Sequence, residues 1–268
     1  MQTYLDKILD RTRDRVATSQ RRRTTGDLER ELKYAPTVRD FAGAITAPGM
    51  SLIAEVKRRS PSKGRIRDEL NPAQVAASYE AGGARALSVL TEPEFFAGTL
   101  DDLVQAREAT AIPVLRKDFV IDPYQVVEAR VGGADAILLI VLALPDRGRF
   151  AELAAAAGEL GMAALIEVHE ERELDAAFAV ADGRPSLIGV NQRDLTSFVV
   201  DRGLAIRLRP QIPPEVAMVA ESGIADRSDV VELEEAGIEA ILVGEALMRA
   251  DDPGAAAAAL LGGPPPEG

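Results

Sequence analysis

The sequence predicts an α/β protein, a (β/α)8 TIM barrel with an N-terminal helical extension. Eight short apolar runs recur after residue 51 and start 23 to 34 residues apart, which leaves room each time for one strand, one helix and two short loops. The runs are apolar almost throughout, as strands of a parallel sheet covered on both faces are. No G-x-G-x-x-G or G-x-x-x-x-G-K-[ST] motif occurs, so an open dinucleotide-binding sheet and a P-loop fold both lack their fingerprint.

Each predicted strand is followed by a segment with helical character. The clearest of these segments begins at Pro72, with Asn71 as its N-cap and Gly82 as its stop. Eight such units favour a closed barrel over an open sheet, which more often has five to seven strands. The predicted strands are 52–57, 86–91, 113–119, 136–144, 163–168, 187–192, 216–222 and 240–247.

Three parts of the chain are expected to differ in role. Residues 1–48 lie outside the repeat and are predicted to form a helical extension that docks on the barrel. Residues 49–261 are predicted to be the catalytic barrel. The Gly- and Pro-rich tail at 262–268 has nothing to bury and is predicted to be disordered.

Composition excludes several classes of function. A formal net charge of −12 disfavours nucleic acid and anionic membranes as partners. The chain has no cysteine, which removes disulfides, thiolate metal sites and thiol nucleophiles, and its one histidine, His169, cannot build a His-rich metal site. The first residues lack the apolar core of a secretory signal, and the longest apolar run is too short to span a membrane. A cytoplasmic protein is therefore expected.

Charged and polar residues end most of the predicted strands. In a barrel of this kind the active site lies at the carboxyl ends of the strands. Glu55 and Lys57 end the first strand and, because strand side chains alternate, face the same way. A network of structural salt bridges is the competing interpretation, but so many ionisable groups beside buried sequence are costly unless they are used. The other residues in this set are Lys117, Glu167, Asn191, Arg193 and Glu221.

Glycine turns after the last two strands predict a phosphate site. Ser222 and Gly223 follow the seventh strand, and Gly244 and Glu245 follow the eighth, which is where barrels of this fold usually bind phosphate. The turn-rich segment 60–64 is predicted to be a loop that can cover the site. His169 stands in a highly charged stretch and is predicted to be at the solvated start of a helix, outside the catalytic centre.

The order of these motifs resembles the indole-3-glycerol phosphate synthase family over residues 1–260. The resemblance is carried by Glu55-Val56-Lys57-Arg58-Arg59-Ser60-Pro61-Ser62-Lys63-Gly64, Leu115-Arg116-Lys117-Asp118-Phe119, Asp122-Pro123-Tyr124-Gln125, Gly189-Val190-Asn191-Gln192-Arg193-Asp194-Leu195 and Ala220-Glu221-Ser222-Gly223-Ile224. Two positions depart from the family pattern. Gln192 stands where Asn or Ser is frequent, and Ala246 stands where Ser is frequent, and neither change removes a backbone N–H group from the phosphate site.

The resemblance implies conversion of 1-(2-carboxyphenylamino)-1-deoxyribulose 5-phosphate to indole-3-glycerol phosphate, with loss of carbon dioxide and water. It implies Lys117 as the acid of ring closure, Glu167 as an acid/base, and Lys57, steered by Glu55, at the substrate carboxylate and as a second acid. Asn191 and Glu221 would orient hydroxyls and lysines. Phe96 and Phe119 would flank the anthranilate ring, with core packing an equal alternative for Phe119. The phosphate would be held by Ser60, Arg193, Ser222, Gly223, Gly244 and Glu245.

The resemblance implies neither a metal nor an organic cofactor, since every step is proton transfer and electrostatics. The expected partner is a small phosphorylated substrate, the expected state is a monomer, and other tryptophan-pathway enzymes are candidate neighbours. Two alternatives are weaker. A phosphoribosylanthranilate isomerase is usually assigned a Cys/Asp pair, and this chain has no cysteine. A catalytically silent barrel would be expected to have lost Lys57, Lys117 or Glu167, and all three are present.

Overall fold

Eight parallel strands close into a barrel, which confirms the predicted fold class. The computed structural model describes residues 3–61, 64–67, 69–181, 187–195 and 197–264. Each strand pairs with its neighbours in chain order, and the eighth pairs with the first, with Ser51 opposite Ala240. The barrel strands are β1 (Ser51–Val56), β2 (Ala86–Leu90), β3 (Val114–Lys117), β4 (Ala136–Ile140), β5 (Ala163–Val168), β6 (Leu187–Asn191), β7 (Ala217–Glu221) and β8 (Ala240–Val243).

Helices precede the barrel and follow every strand. Those before it are α1 (Tyr4–Arg22), α2 (Thr25–Glu31) and α3 (Phe41–Thr46). Those after successive strands are α4 (Pro72–Ala81), α5 (Leu100–Glu108), α6 (Pro123–Val131), α7 (Arg147–Glu159), α8 (Leu174–Ala181), α9 (Leu204–Leu208) and α10 (Arg227–Glu235), with α11 (Glu245–Arg249) and α12 (Pro253–Leu260) after β8. Short 3-10 turns occupy Leu32–Tyr34, Val141–Ala143, Glu171–Glu173 and Arg209–Gln211. Among the described residues, no helix is both long and apolar enough to cross a membrane.

Helix α4 begins and ends where its residues predict. The Asn71 side chain accepts a hydrogen bond from the backbone N–H of Gln74, Pro72 occupies the first turn, and the helix ends before Gly82. Gly83 then takes a positive φ of 89°, the left-handed conformation that glycine adopts at little cost.

Side-chain alternation sorts each strand into an outer and an inner layer. Leu52, Ala54 and Val56 of β1 pack under the surrounding helices, whereas Ile53 joins the cluster that fills the barrel. The inner cluster takes similarly alternating residues from the other strands, such as Leu115, Leu138, Leu165, Val219 and Leu242. The next inner position, two residues further along each strand, therefore faces the mouth of the barrel.

Three strands are shorter by three residues or more than the apolar runs that predicted them. The run at 113–119 forms a strand only over Val114–Lys117, and the run at 136–144 leaves the sheet after Ile140 and continues as a buried 3-10 turn. The run at 240–247 leaves the sheet at Val243, and its last residues enter α11 with Leu247 buried. Apolar character continued past these strand ends because the following turns are buried as well.

The helices before β1 contact both ends of the barrel. Phe41 and Ile45 of α3 belong to the inner cluster, and because α3 directly precedes β1, they close its amino-terminal end. Leu5 and Ile8 of α1 belong to the same cluster at the opposite end. After β1, Arg59–Ser60 pairs antiparallel with Gly64–Arg65; Ser62 and Lys63 of the predicted covering loop lie outside the described residues, as does 265–268 of the tail.

Candidate active site

A cavity of about 860 Å³ opens at the carboxyl ends of the strands. Its volume is within the range of small-molecule sites. Each of the fourteen residues that the sequence nominated lines it. These are Glu55, Lys57, Ser60, Phe96, Lys117, Phe119, Glu167, Asn191, Arg193, Glu221, Ser222, Gly223, Gly244 and Glu245.

Lys117 joins two glutamates across the floor of the cavity. Its Nζ atom lies 2.9 Å from Oε2 of Glu167, and it also donates to Oε2 of Glu221. Both glutamates are buried, and Lys117 is only slightly exposed. The three side chains come from β3, β5 and β7, where each occupies an inward-facing position at or near the end of its strand.

These neighbours give the three groups different charge states. Burial alone would lower the pKa of Lys117, but the two glutamates outweigh it and raise that pKa well above its usual range. Burial would raise the pKa of Glu167, but Lys117 and the His169 ring outweigh it and lower that pKa. Burial raises the pKa of Glu221 to about 8, with Lys117 opposing the rise and Glu167 adding to it. The two glutamates therefore differ in the form that their surroundings favour, which is the carboxylate for Glu167 and the protonated acid for Glu221.

A second lysine–glutamate pair lies at the end of β1. Glu55 is buried and Lys57 is nearly so, and the Lys57 ammonium donates to Oε1 of Glu55. Gly244 also lies close against the Glu55 side chain, so the turn after β8 packs on this pair. The alternation that predicted a common direction for the two side chains is confirmed by this contact.

Asn191 links Glu167 to the loops that follow β6 and β7. Its Nδ2 atom donates to Oε1 of Glu167 at 3.2 Å, while its Oδ1 atom accepts hydrogen bonds from the Ser222 hydroxyl at 2.8 Å and the Arg193 backbone N–H at 3.1 Å. Ser222 has a positive φ of 67°, which is costly for a side chain other than glycine and is stabilised here by that hydrogen bond.

Arginines line the part of the cavity beside β6, β7 and β8. Arg193 lies 3.9 Å from the Glu245 carboxylate, which also contacts Arg249 at 3.2 Å. Arg202 and Arg249 line the cavity too, although the sequence analysis did not nominate them. The sequence could have predicted Arg249 as a site residue, because it lies one helical turn beyond Glu245 and so shares the same face of α11.

The opposite part of the cavity is apolar. The rings of Phe96 and Phe119 lie 6.4 Å apart at 39°, with Leu90, Leu138 and Ile140 also on this wall. Phe119 is buried in the inner cluster and also lines the cavity, so it both packs in the core and faces the site. Helix α1 adds Leu5 and Ile8, so part of this wall comes from outside the barrel repeat.

Asp118 connects α1 to the chain beside Lys117, and the sequence analysis did not foresee this contact. The Asp118 carboxylate accepts hydrogen bonds from Arg15 at 2.7 Å, Thr91 at 2.7 Å and Arg116 at 3.1 Å. Burial would raise the pKa of Asp118, but the two arginines outweigh it and lower that pKa to about 2. Arg15 looks like an ordinary surface residue in the sequence, since nothing local marks its partner 103 residues away.

The prediction of a solvated His169 is wrong. Its side chain is only 3% exposed, with Nε2 lying 3.2 Å from Oε1 of Glu167 and Nδ1 lying 3.9 Å from Oε2 of Glu173. Glu173, which the charged stretch placed on the same solvated face, is also buried. The prediction relied on the charge of neighbouring residues in the sequence. In the structure, the end of β5 and the 3-10 turn after it place His169 and Glu173 in the interior, with His169 next to Glu167. Within the described parts of the chain, no three acidic or histidine side chains are grouped as a metal site requires.

The comparisons with known proteins cover almost the whole chain. The family model described as indole-3-glycerol phosphate synthase matches residues 5–260. Indole-3-glycerol phosphate synthase 2 of Streptomyces coelicolor is 51% identical over 232 residues, which cover 87% of this chain and 88% of that protein. Indole-3-glycerol phosphate synthase of Laribacter hongkongensis is 48% identical over 260 residues, covering 95% and 97%. A crystal structure of a 3-hexulose-6-phosphate synthase, 19% identical, superposes with a TM-score of 0.62 over 80% of this chain and 99% of that one, which shows the fold alone.

Proposed function

The chain belongs to the indole-3-glycerol phosphate synthase family of carboxy-lyases in tryptophan biosynthesis, and we propose that Lys117, Glu167 and Lys57 carry its proton transfers. The substrate proposed is 1-(2-carboxyphenylamino)-1-deoxyribulose 5-phosphate. The observation that carries the proposal is the position of the Lys117 ammonium on the cavity floor, where it donates to both Glu167 and Glu221. It is a proton donor already in position, with a base beside it.

The two ends of the cavity suit the two ends of this substrate. The arginine-lined end would take the phosphate, through Arg193, Ser60 and Ser222 and the backbone N–H groups of the turns at Gly223 and Gly244. Gly244 is the residue before α11, and the backbone N–H groups at the start of a helix point out of its end. The anthranilate ring would lie on the apolar wall between Phe96 and Phe119.

Ring closure is the step proposed for Lys117. The ring carbon that bears the carboxylate attacks the ribulose carbonyl carbon, and the electron pair of the C=O bond moves onto oxygen. Lys117 gives that oxygen its proton, so no full negative charge accumulates there. The bond to the carboxylate carbon then breaks, carbon dioxide leaves, and the electron pair left behind restores the aromatic ring.

Dehydration is the step proposed for Glu167 and Lys57. The hydroxyl formed from the carbonyl oxygen leaves as water after taking a proton from Lys57. Glu167 removes a proton from the neighbouring carbon of the new ring, and the C–H electron pair becomes the indole double bond. The lowered pKa of Glu167 means that it is ionised, as the acceptor of this proton must be. Glu55 holds Lys57, Glu221 holds Lys117, and Asn191 holds Glu167.

The family's place in amino-acid biosynthesis supports the cytoplasm as its compartment and other tryptophan-pathway enzymes as neighbours. All the proposed site residues come from one chain, which supports activity as a monomer. We also propose that the extension at 1–48 and the barrel at 49–261 work as one unit, because Leu5 and Ile8 form part of the cavity wall.

The test is to supply this substrate and follow indole absorbance and fluorescence with time. The parent chain and Lys33→Ala, which removes an exposed lysine of the extension, are expected to form indole product at equal rates. Lys117→Ala is expected to form it slowly or not at all. No product from the folded parent would refute the substrate, and a rapid Lys117→Ala variant would refute the role of the lysine.

A further inference from the structure

His169 forms a buried bridge between two carboxylates that the proposed reaction leaves unexplained. Its ring lies between Glu167 and Glu173, with Nε2 3.2 Å from the first and Nδ1 3.9 Å from the second. The His169 backbone N–H also donates to Glu173 at 2.8 Å, which fixes where the residue leaves β5. His169 does not line the cavity, so it would act on the reaction only through Glu167.

The contact is an attraction between charges more than a set of hydrogen bonds. Neither ring nitrogen has a well-aligned hydrogen-bond partner, although both are buried. A buried neutral ring with two unsatisfied nitrogens would be costly. A protonated ring between Glu167 and Glu173 is instead stabilised by both carboxylates, and they raise its pKa to about 9 against the effect of burial.

We propose that His169 is a positioning residue, which keeps the Glu167 carboxylate ionised and in place by facing its Oε1 atom. Glu173 is the counter-ion of His169 on the other side of the ring. The inference rests on the proposed role of Glu167. Oε1 of Glu167 faces His169 and Asn191, which leaves Oε2 facing Lys117. Partners on three sides restrict the carboxylate to one orientation, and small errors in orientation cost large factors in rate.

The bridge matters most after Lys117 has given up its proton. Glu167 then loses the charge of its nearest cation, and burial would favour its protonation. A charged His169 on the other oxygen opposes this, so Glu167 remains a base for the later dehydration. Among the residues that the structure describes, the ionisable groups in contact with the ring are Glu167 and Glu173. Lys117 and Glu221 follow on the other side of Glu167.

The test compares the kcat of the parent with that of His169→Gln at each pH from 6 to 10. Glutamine is of similar size but cannot carry the charge. At pH 7 the parent is expected to be about 10-fold faster, with KM within about two-fold because His169 does not touch substrate. As pH rises through about 9 the parent ring loses its charge, so the ratio of the two kcat values should fall towards one. Groups that do not contact His169 or Glu167 titrate alike in both proteins and cancel in the ratio.

A merely structural role predicts something different. Leu174→Ala removes buried apolar contacts next to this segment without touching Glu167, so it should lower Tm and leave a kcat ratio that does not change with pH. If the His169→Gln ratio is also constant with pH, whether at one or at ten, the proposal is overturned. Glu167→Gln separates the two proposals: if it is fully active, the role of Glu167 fails, and if it is inactive while His169→Gln matches the parent, only the bridge fails.

Discussion

Gly244 lies so close to the Glu55 carboxyl group that no side chain fits between them. A Cβ atom on Gly244 would lie 2.9 Å from Cδ and 3.1 Å from Cβ of Glu55, and closer still to Oε1. The side chain of Glu55 cannot move away freely, because Lys57 binds its carboxylate. The glycine after β8 therefore serves the lysine–glutamate pair of β1 as well as the turn that begins α11.

Gly244→Ala is expected to lower kcat as well as raise KM. The added methyl group must displace Glu55 and with it Lys57, at a cost of about 1–3 kcal/mol for overpacking. Steady-state kinetics and a thermal melt on the same preparation measure both effects. Gly26→Ala is the matched control, since its added Cβ meets no atom closer than 3.7 Å. A Gly244→Ala enzyme with a raised KM alone would mean that the glycine serves only the phosphate end.

Lys117→Arg is expected to stay folded and lose at least about 100-fold in kcat. Arginine keeps the positive charge that Glu167 needs, but its planar guanidinium cannot present a proton from the place that the compact lysine ammonium occupies. Lys117→Ala should lose about 10²–10⁴ in kcat and also lower Tm, since it leaves Glu167 without its nearest cation. Activity close to the parent in the folded arginine variant would show that only charge is needed at this position.

The raised pKa of Glu221 predicts that stability falls as pH rises from about 4.5 to about 8. The folded state binds a proton that the unfolded chain has already released over this window, so the slope is negative and at most roughly 1.4 kcal/mol per pH unit. Urea unfolding at half-unit pH steps measures it. Glu221→Gln should flatten this part of the curve, whereas Glu152→Gln on the exposed face of α7 should leave it unchanged. Parallel curves for the parent and Glu221→Gln would contradict the assigned charge state.

Arg15→Ala is expected to reduce stability by about 1–3 kcal/mol and to slow the enzyme, because Asp118 adjoins Lys117 and loses one of its two cations. Arg13→Ala is the control on the same helix. Its ion pair with Asp10 is exposed, so its loss should change the free energy of unfolding by less than about 0.5 kcal/mol. Equal effects of the two substitutions would argue against a specific contact between the extension and the site.

Arg193→Gln is expected to raise KM about 10-fold or more and to leave kcat within about three-fold. In the proposed function Arg193 binds the phosphate already in the ground state, so loss of this contact weakens substrate and transition state alike. Arg172→Gln removes an exposed arginine and should match the parent in both constants. Equal falls in kcat and kcat/KM for Arg193→Gln would instead assign this arginine to the transition state.

The barrel itself could be predicted because its signals are local. The spacing of apolar runs requires eight strand–helix units, and the two-residue alternation along β1 directs Glu55 and Lys57 to one side. The nominated residues that line the cavity followed from strand ends, together with motifs whose order resembles one family. Strand ends at 113–119, 136–144 and 240–247 were less accurate, because apolar periodicity does not separate a strand from the buried turn that continues it.

The sequence by itself determined the fold class and which side chains face the barrel mouth, since both depend on neighbours along the chain. Only the tertiary structure decided which side chains are in contact. Lys117 contacts Glu167 and Glu221, which are 50 and 104 residues away in the sequence, and Arg15 contacts Asp118, which is 103 residues away. It also decided that His169 and Glu173 are buried in a stretch that composition marks as solvated. Solvation, charge state and pairing depend on what packs around a group in space, and sequence periodicity carries no record of that.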